Sequence, residues 1–169
     1  RASVYGNLGI MFPMITSVSE VQKVLEICKT VREELQAEQI PYAEKMELGI
    51  MIETPAAAII SDQLAPLVDF FSVGTNDLTQ YTLACDRQNP DIESFCDTHH
   101  EAILRLIAWS AKNAHEHGAW IGICGELAAD TSLTERFLRM GIDELSVSPT
   151  FVLKVRDAVR KVDLRTKEN

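Results

Sequence analysis

The sequence predicts an α/β fold with a parallel sheet of about five strand–helix units. Short apolar runs alternate along the chain with longer segments whose apolar residues recur at helical spacing. Strict alternation of strands and helices requires helical crossovers, which make the strands parallel and the connections right-handed. Polar, reactive residues directly follow three of the apolar runs, at the strand ends where parallel α/β proteins build their active sites.

The composition is that of one globular unit. The chain has 169 residues, of which 46% are hydrophobic and 24% charged, so it can bury a core. The formal net charge of -9 argues against broad binding to nucleic acid or to an anionic membrane. No apolar run approaches the ~20 residues that membrane insertion requires, and no signal peptide is visible. The four cysteines form no C-x-x-C pair and no disulfide framework, so we expect a cytoplasmic protein with reduced thiols.

The first strand and helix are predicted near the start of the chain. The apolar run from Leu8 to Ile15 predicts the strand. Ser19 and Gln22 have the spacing of a capping box, which predicts the start of a helix that ends before Pro41.

Two further strands follow, each with a helix behind it. The run from Leu48 to Ile52 is continuously apolar, as expected of a strand that is covered on both faces. Thr54 and Pro55 then suit the N-cap and the first position of a helix through residue 64. The run from Val68 to Val73 predicts the third strand, and Gly74 allows a tight turn into a short helix through residue 83.

The second half of the chain repeats the same order after a polar loop. The spacing of apolar residues predicts an amphipathic helix over Glu101 to His117, and Gly118 ends it. The histidines at its two ends are expected on the surface. The remaining predicted elements are a strand over Trp120 to Ile123, a helix over Thr131 to Met140, a strand over Glu144 to Val147 and a helix from Pro149.

Two architectures fit this order of elements. One is an open doubly wound sheet, and the other is a TIM barrel. A barrel needs eight strands, so this chain would supply only part of one. No glycine-rich dinucleotide turn follows the first strand, which weakens the dinucleotide-binding form of the doubly wound fold.

Two acidic residues at strand ends are candidate ligands of a divalent metal. Glu53 directly follows an apolar run, where an unpaired charge is costly unless it has a partner. Asp77 stands in the same relation to the strand that ends at Val73. Two carboxylates, together with substrate oxygens and waters, suit octahedral Mg²⁺. The alternative for Glu53 is that it caps or pairs with the helix behind it.

Three other residues are candidates for substrate binding or proton transfer. Asn76 could donate to a phosphate or carboxylate oxygen, or it could close a turn. Arg87, in the loop that leaves the Asn-Asp pair, is a candidate phosphate ligand. Cys124 lies between Gly122 and Gly125 and could be a nucleophile, a general acid or a buried spacer. No histidine adjoins it to act as an activating base, so proton donation is at least as well supported as attack.

Four segments carry a resemblance to a known family. They are Ile10-Met11-Phe12-Pro13-Met14, Met51-Ile52-Glu53-Thr54-Pro55-Ala56-Ala57, Gly74-Thr75-Asn76-Asp77-Leu78-Thr79-Gln80-Tyr81 with Arg87, and Cys124-Gly125-Glu126. Together they resemble the phosphoenolpyruvate-binding domain of Enzyme I, the phosphoenolpyruvate-protein phosphotransferase of the bacterial sugar phosphotransferase system. The resemblance runs along essentially the whole chain.

The resemblance implies a fold and a reaction. Residues 1–169 would be the C-terminal part of a TIM (β/α)8 barrel domain, with about five βα units that correspond to strands four to eight. The parent enzyme would transfer the phosphoryl group of phosphoenolpyruvate to a histidine in a separate N-terminal domain and release pyruvate, in support of sugar uptake. The resemblance also implies a homodimer, and a phosphocarrier protein that docks through that N-terminal domain.

The resemblance assigns roles to five residues. Glu53 and Asp77 would hold Mg²⁺, while Asn76, Asp77 and Arg87 would contact the substrate. Cys124 would protonate the enolate to give pyruvate. The family's substrate-binding arginines from earlier strands have no counterpart here, so we expect the isolated segment to be inactive and to bind phosphoenolpyruvate weakly. Uncovered sheet edges also predict self-association of the segment.

Three other interpretations remain open from the sequence. Pyruvate phosphate dikinase and phosphoenolpyruvate synthase carry related elements, although Tyr81 and the short loop after Arg87 are more similar to Enzyme I. A Mg²⁺-dependent pyruvate aldolase has a similar acidic strand end, but Cys124-Gly125-Glu126 is not expected there. The third is a non-catalytic dimerisation module, against which the intact set of reactive residues argues.

Overall fold

Five parallel strands form one sheet in the computed structural model, which describes residues 1–165 apart from the side chain of Glu93. Each strand pairs with the next one along the chain, in the order β1-β2-β3-β4-β5. This sequential order is that of a TIM barrel and differs from a doubly wound sheet, in which the strand order reverses. Within the described residues β1 and β5 are the edges, so the barrel is partial, as predicted. The strands are β1 (Gly9–Phe12), β2 (Glu47–Ile52), β3 (Phe70–Gly74), β4 (Trp120–Cys124) and β5 (Glu144–Leu145).

Helices connect the successive strands and cover one face of the sheet. They are α1 (Val18–Ala37), α2 (Pro55–Ile59), α3 (Ser61–Leu64), α4 (Thr75–Leu83), α5 (Glu101–Glu116), α6 (Glu126–Ala129), α7 (Thr134–Met140) and α8 (Val152–Lys161). Short 3-10 helices occupy Ala2–Tyr5, Ala65–Leu67, Pro90–Phe95 and Pro149–Phe151.

Side chains alternate between the two faces of the sheet. The residues that face the helices are almost completely buried and form the core with α5, whose apolar face matches the prediction. On the opposite, inner face, the rings of Phe70 and Trp120 stack with their centroids 4.5 Å apart. The buried strand residues are Ile50, Ile52, Phe71, Val73, Ile121 and Ile123.

The capping box of α1 lies two residues before the predicted one. The Ser17 hydroxyl accepts the backbone N–H of Glu20, whose carboxylate in turn accepts the Ser17 N–H at 2.9 Å. The predicted pair, Ser19 and Gln22, has the same spacing as Ser17 and Glu20, so spacing alone could not show which pair forms the capping box. A carboxylate is the stronger acceptor and is favoured at the positive end of a helix, which explains why Glu20 takes this role.

The helix predicted from Thr54 breaks into two. Thr54 is the N-cap, as predicted, because its hydroxyl accepts the backbone N–H of Ala57 at 3.1 Å. The break lies at Ile60, which separates α2 from α3. The Ser61 hydroxyl donates to the Ala58 carbonyl at 2.8 Å, and such side-chain bonds to the backbone compete with a continuous helix.

The structure contradicts the expectation that the thiols are all reduced. Cys85 and Cys96 form a disulfide with their Cα atoms 5.9 Å apart. Ala84 ends α4 in the left-handed conformation, and the 3-10 helix Pro90–Phe95 folds the following segment back toward it. The sequence predicted only a polar loop here, and the separation of the two cysteines carries no pairing signal. Cys28 and Cys124 are free thiols.

No helix among residues 1–165 has both the length and the apolar character that a membrane span requires.

We expect Gly49→Ala to lower the free energy of unfolding by about 1–3 kcal/mol. A methyl group at Gly49 would overlap the Phe70 ring and disturb its stacking on Trp120. Gly9→Ala is the matched control, because its added carbon would lie 3.5 Å from the same ring, in ordinary contact. Urea unfolding followed by circular dichroism measures both variants. Equal stabilities would show that the inner face has no such steric limit.

Candidate active site

The three reactive strand ends predicted from the sequence lie side by side. Glu53 follows β2, Asn76 and Asp77 lie in the first turn of α4 behind β3, and Cys124 ends β4. β2, β3 and β4 are adjacent in the sheet, and Gly74 at the end of β3 pairs in register with Cys124. The carboxyl ends of the strands therefore present these side chains at one edge.

Glu53 is a buried carboxylate with a backbone partner. It is 3% exposed, and its Oε1 accepts the backbone N–H of Met14 at 2.6 Å. Met14 has a φ of 57°, a left-handed conformation that is costly for a residue with a side chain. The strained turn after β1 thus aims an N–H group at the carboxylate.

The pKa of Glu53 is raised above its ordinary value. Burial is the main cause, the Met14 hydrogen bond opposes it, and the neighbouring Asp77 carboxyl group adds to the increase through its charge and a hydrogen bond. Two carboxyl groups held this close in a poorly solvated place favour a cation or a shared proton between them.

Gly74 is needed for close approach to Glu53, and its role differs from the predicted one. Its φ is -82°, which any residue adopts, so the turn does not require glycine. A Cβ at this position would lie 2.9 Å from the Cβ of Glu53 and 2.8 Å from the sulfur of Met51. Glycine therefore lets β3 approach the side chains of β2.

Asp77 and Arg87 form an ion pair at the rim of the site. The Arg87 Nη2 lies 3.6 Å from the Asp77 Oδ1, and the two side chains are 43% and 33% exposed. The backbone N–H of Arg87 also donates to the Gln80 side chain at 3.2 Å. An exposed pair contributes little to stability, so its consequence is mainly to hold a guanidinium beside the carboxylates.

The donor set fits a hard divalent cation. Among residues 1–165 no three His, Cys, Asp or Glu side chains are grouped to hold a metal ion. Glu53 and Asp77 therefore form a pair of carboxylates, which is the usual protein contribution to Mg²⁺ when substrate oxygens and waters supply the other ligands.

The surroundings of Cys124 favour its thiol form. Its Sγ–H donates to the Val73 carbonyl at 3.4 Å and its sulfur accepts the Ser72 hydroxyl at 3.7 Å. Burial raises the pKa of the Cys124 thiol, the Ser72 hydrogen bond lowers it, and the negative charges of Glu53 and Glu144 raise it further. A protonated thiol donates protons and is a poor nucleophile, so this environment favours a general acid.

The loop behind Cys124 is fixed by the first turn of α4. The Thr75 hydroxyl donates to the Cys124 carbonyl at 2.8 Å, and the Asn76 side-chain oxygen accepts the Glu126 N–H at 3.1 Å. Gly125 has φ 89° and ψ -171°, a conformation that essentially only glycine adopts. A Cβ there would also lie 2.9 Å from the Asn76 oxygen. Asn76 thus connects the end of β3 to the end of β4.

Two depressions meet at Asn76 and Glu126, which line both of them. The first has a volume of about 710 Å³ and is lined in part by Cys124 and Lys154. The second has a volume of about 630 Å³ and contains Arg87. The linings therefore combine the Cys124 thiol and two cationic side chains with acidic ones, including Asp130 in the first depression and Asp97 in the second.

The sequence of the chain matches a known family over nearly its full length. Residues 1–164 match the family model described as PEP-utilising enzyme, PEP-binding domain. The chain is 46% identical over 168 residues to phosphoenolpyruvate-protein phosphotransferase of Lactococcus lactis subsp. cremoris, with 99% of this chain and 29% of that protein covered. The chain belongs to the family of PEP-utilising enzymes, in their PEP-binding domain.

Other relatives agree with this assignment. The PEP-binding domain is 46% identical over 162 residues to the phosphotransferase of the same name from Priestia megaterium, with 96% of this chain and 28% of that protein covered. It is 45% identical over 163 residues to that of Listeria monocytogenes serovar 1/2a, again with 96% and 28% covered. The chain therefore spans 28–29% of the length of these curated relatives.

Solved structures support the fold. A citrate lyase from Burkholderia xenovorans LB400 aligns with a TM-score of 0.65 at 20% identity. The alignment covers 89% of this chain and 48% of the lyase chain. A Haloferax volcanii malate synthase aligns with a TM-score of 0.64 at 15% identity and covers 95% and 46%. At these identities the likeness concerns the barrel-like arrangement of the PEP-binding domain alone.

The histidines at the two ends of α5 lie on the surface, as predicted. His99 pairs with Asp130 at 2.7 Å and His115 pairs with Asp143 at 2.9 Å, and all of these side chains are partly exposed. Both pairs lie near the ends of α5, and the hydrogen bonds of the Cys124 thiol go instead to Ser72 and Val73.

Sequence reasoning missed several residues that build the site. Ser72 had a visible signal, because it is a polar residue at an inward position of an otherwise apolar strand. Thr75 and Lys154 gave no distinguishing pattern. Met14 acts through its backbone N–H, which no residue type encodes.

We expect Gly125→Ala to lower the free energy of unfolding by about 3 kcal/mol or more, because backbone strain and steric overlap with Thr75 and Asn76 act together. Gly118→Ala is the matched control, since Gly118 also has a positive φ but no atom within 4 Å of an added carbon. The control should lose only about 1–2 kcal/mol. Urea unfolding measures both losses, and equal losses would contradict the proposed close approach.

We expect Cys124 to react slowly with iodoacetamide at neutral pH, because burial raises the pKa of its thiol. Ser72→Ala should raise that pKa further, since the thiolate loses a hydrogen bond. Ser72→Thr, which keeps the hydroxyl, is the control. Peptide mass spectrometry across a pH series reports Cys124 separately, with Cys28 as internal reference. A Ser72→Ala profile that overlays the parent profile would show that the contact does not act on the thiol.

Proposed function

We propose that this chain is the C-terminal part of a phosphoenolpyruvate-protein phosphotransferase. The parent protein transfers the phosphoryl group of phosphoenolpyruvate to a histidine in a separate domain and releases pyruvate, for sugar uptake. The observation that carries the proposal is a partly buried thiol at the end of β4, hydrogen-bonded to Ser72 and Val73, beside two carboxyl groups at the ends of β2 and β3. The names of relatives at 46% identity support the same reaction.

The reaction needs a neutral proton donor, which becomes negatively charged only when it gives up its proton. When the P–O bond of phosphoenolpyruvate breaks, the phosphoryl group passes to the acceptor nitrogen and the enolate of pyruvate remains. The Cys124 S–H bond then breaks, and the enolate electron pair takes the proton to form the methyl C–H bond and the ketone. The sulfur keeps the S–H electron pair as a thiolate, and the Ser72 hydroxyl is positioned to donate to it.

The carboxyl groups serve the anionic end of the substrate. Glu53 and Asp77 would hold Mg²⁺, which would supply positive charge to the anionic substrate. The Met14 N–H holds Oε1 of Glu53, and Oε2 lies close to Gly74 at the end of β3. Phosphoryl transfer depends mostly on such positioning and charge neutralisation.

Arg87 and Asn76 would contact the phosphate. Both line the second depression, and the ion pair with Asp77 holds the Arg87 guanidinium close to the carboxylates. α4 begins directly behind β3, so its first N–H groups also favour an anion at this point. Phosphate recognition would then combine one guanidinium, one amide and a helix start.

The proposal includes the surroundings of the intact protein. Further strands would complete the barrel at the edges of β1 and β5, and with them the remaining cationic ligands of the substrate. A cytoplasmic homodimer that works with a phosphocarrier protein fits the family, and the uncovered edges support association. The names of the relatives favour this function over a dikinase, a synthase or an aldolase, and the complete set of reactive residues argues against a non-catalytic module.

The test uses the intact protein that carries this chain. Mg²⁺ with phosphoenolpyruvate should raise its thermal midpoint, and Glu53→Gln and Asp77→Asn should each abolish the increase because they remove a ligand charge. Glu47→Gln, on the same strand but at its other end, is the matched control and should keep the increase. Cys124→Ser should also keep it, yet lose exchange of the pyruvate methyl protons with deuterated solvent by about a hundredfold or more.

Two outcomes would contradict the proposal. A Mg²⁺-dependent shift that persists in Glu53→Gln would remove this residue from the metal site. Unchanged proton exchange in Cys124→Ser would exclude the thiol as the acid, whatever the binding data show.

A further inference from the structure

We propose that Cys85 and Cys96 are a reversible modification site for thiol–disulfide exchange with small thiols and disulfides, and that their oxidation state sets the position of Arg87. The two cysteines close a segment of the chain, residues 86–95, which is called the Arg87 loop below. The loop lies between α4 and α5 and carries the cationic side chain that pairs with Asp77.

The two cysteines differ in their exposure to solvent. Cys85 is 4% exposed, whereas Cys96 is partly exposed and lines the 630 Å³ depression together with Arg87 and Asn76. A small thiolate can therefore reach the Cys96 sulfur from that depression, while Cys85 is shielded. Attack on the accessible sulfur makes Cys85 the leaving group.

The exchange balances with a small thiol as the reductant. A thiolate attacks the Cys96 sulfur, the bond between the two cysteine sulfurs breaks, and Cys85 leaves with the electron pair and takes up a proton. A second thiolate attacks the outer sulfur of the mixed disulfide, releases a small disulfide and leaves Cys96, which is also protonated. One protein disulfide is reduced and two small thiols are oxidised, and the reverse sequence oxidises the protein.

The disulfide ties the far end of the Arg87 loop to the end of α4. Within the loop, hydrogen bonds join close neighbours: the N–H of Gln88 donates to Asp86 and the N–H of Asp91 donates to Asn89. Phe95, just before Cys96, is 72% exposed and provides no buried anchor. The near end is held by the Arg87 N–H on Gln80 and by the exposed ion pair with Asp77. Opening the disulfide would leave the near end with these weak contacts.

Reversibility follows from where the protein would work. Disulfides in a reducing compartment are usually transient or redox-sensing, and the cytoplasmic location rests on the proposed function. A constrained loop that presents Arg87 would bind the substrate phosphate better than a free one, because less ordering is needed on binding. Oxidation would then favour substrate binding, and reduction would weaken it.

The test measures trypsin cleavage of the peptide bond after Arg87, in the intact protein that carries this chain. The protein is equilibrated in glutathione buffers of graded ratio of oxidised to reduced form, and mass spectrometry scores the Cys85–Cys96 pair. Brief trypsin digestion then measures cleavage between Arg87 and Gln88. We expect the pair to change state within the series, and reduction to speed this cleavage about tenfold or more, as expected when a loop of this size is released.

Two variants separate the disulfide from other thiol effects. Cys85→Ser and Cys96→Ser should each cleave as fast as the reduced protein in every buffer. Cys28→Ser, a free thiol on α1 far along the chain, is the matched control and should keep the redox dependence. A pair that stays reduced, or stays oxidised, across the whole series overturns the proposal, and so does cleavage that is independent of the pair's state. None of these measurements depends on enzymatic activity, so failure of this proposal can be distinguished from failure of the proposed function.

Discussion

The close approach of neighbouring strands on the inner face of the sheet is the constraint on which the rest of the structure depends. Gly49 makes room for the Phe70 ring, and Gly74 lets β3 pack against Glu53. Gly125 similarly allows the β4 loop to meet the first turn of α4. Without these contacts the strand ends would be spread apart, and the carboxylates could not lie beside the thiol. The reactive edge is therefore a consequence of packing as much as of residue type.

The electrostatics of the edge favour the protonated forms of both Glu53 and Cys124. Burial disfavours charge on Glu53 and on Cys124, and each negative charge nearby disfavours the next one. A cation between Glu53 and Asp77 would relieve the repulsion of the carboxylates. The thiol, which gains no such neighbour, keeps its proton until an acceptor arrives. Solvent exclusion thus supports the proposed division of the cleft into a metal-binding half and a proton-donating half.

Much of this arrangement could be predicted from the sequence, because it follows from short-range rules. Alternating elements fix parallel strands, and parallel strands bring Glu53, Asp77 and Cys124 to one edge. What could not be predicted depends on choices between equivalent local patterns or on distant partners. Two residue pairs had capping-box spacing, and only the stronger acceptor, Glu20, is used. The Cys85–Cys96 bond and the Met14 contact depend on tertiary folding, which spacing does not reveal.

The contact between Met14 and Glu53 has a consequence for sequence variation. The carboxylate is held by a main-chain group, so its orientation is insensitive to the side chain at position 14. Many residues could replace Met14 at the cost of some backbone strain, and asparagine or glycine would tolerate its left-handed φ best. Proline alone would remove the donor and also forbid the dihedral angle. Residues of different chemical character can therefore occupy position 14 while Glu53 keeps its orientation.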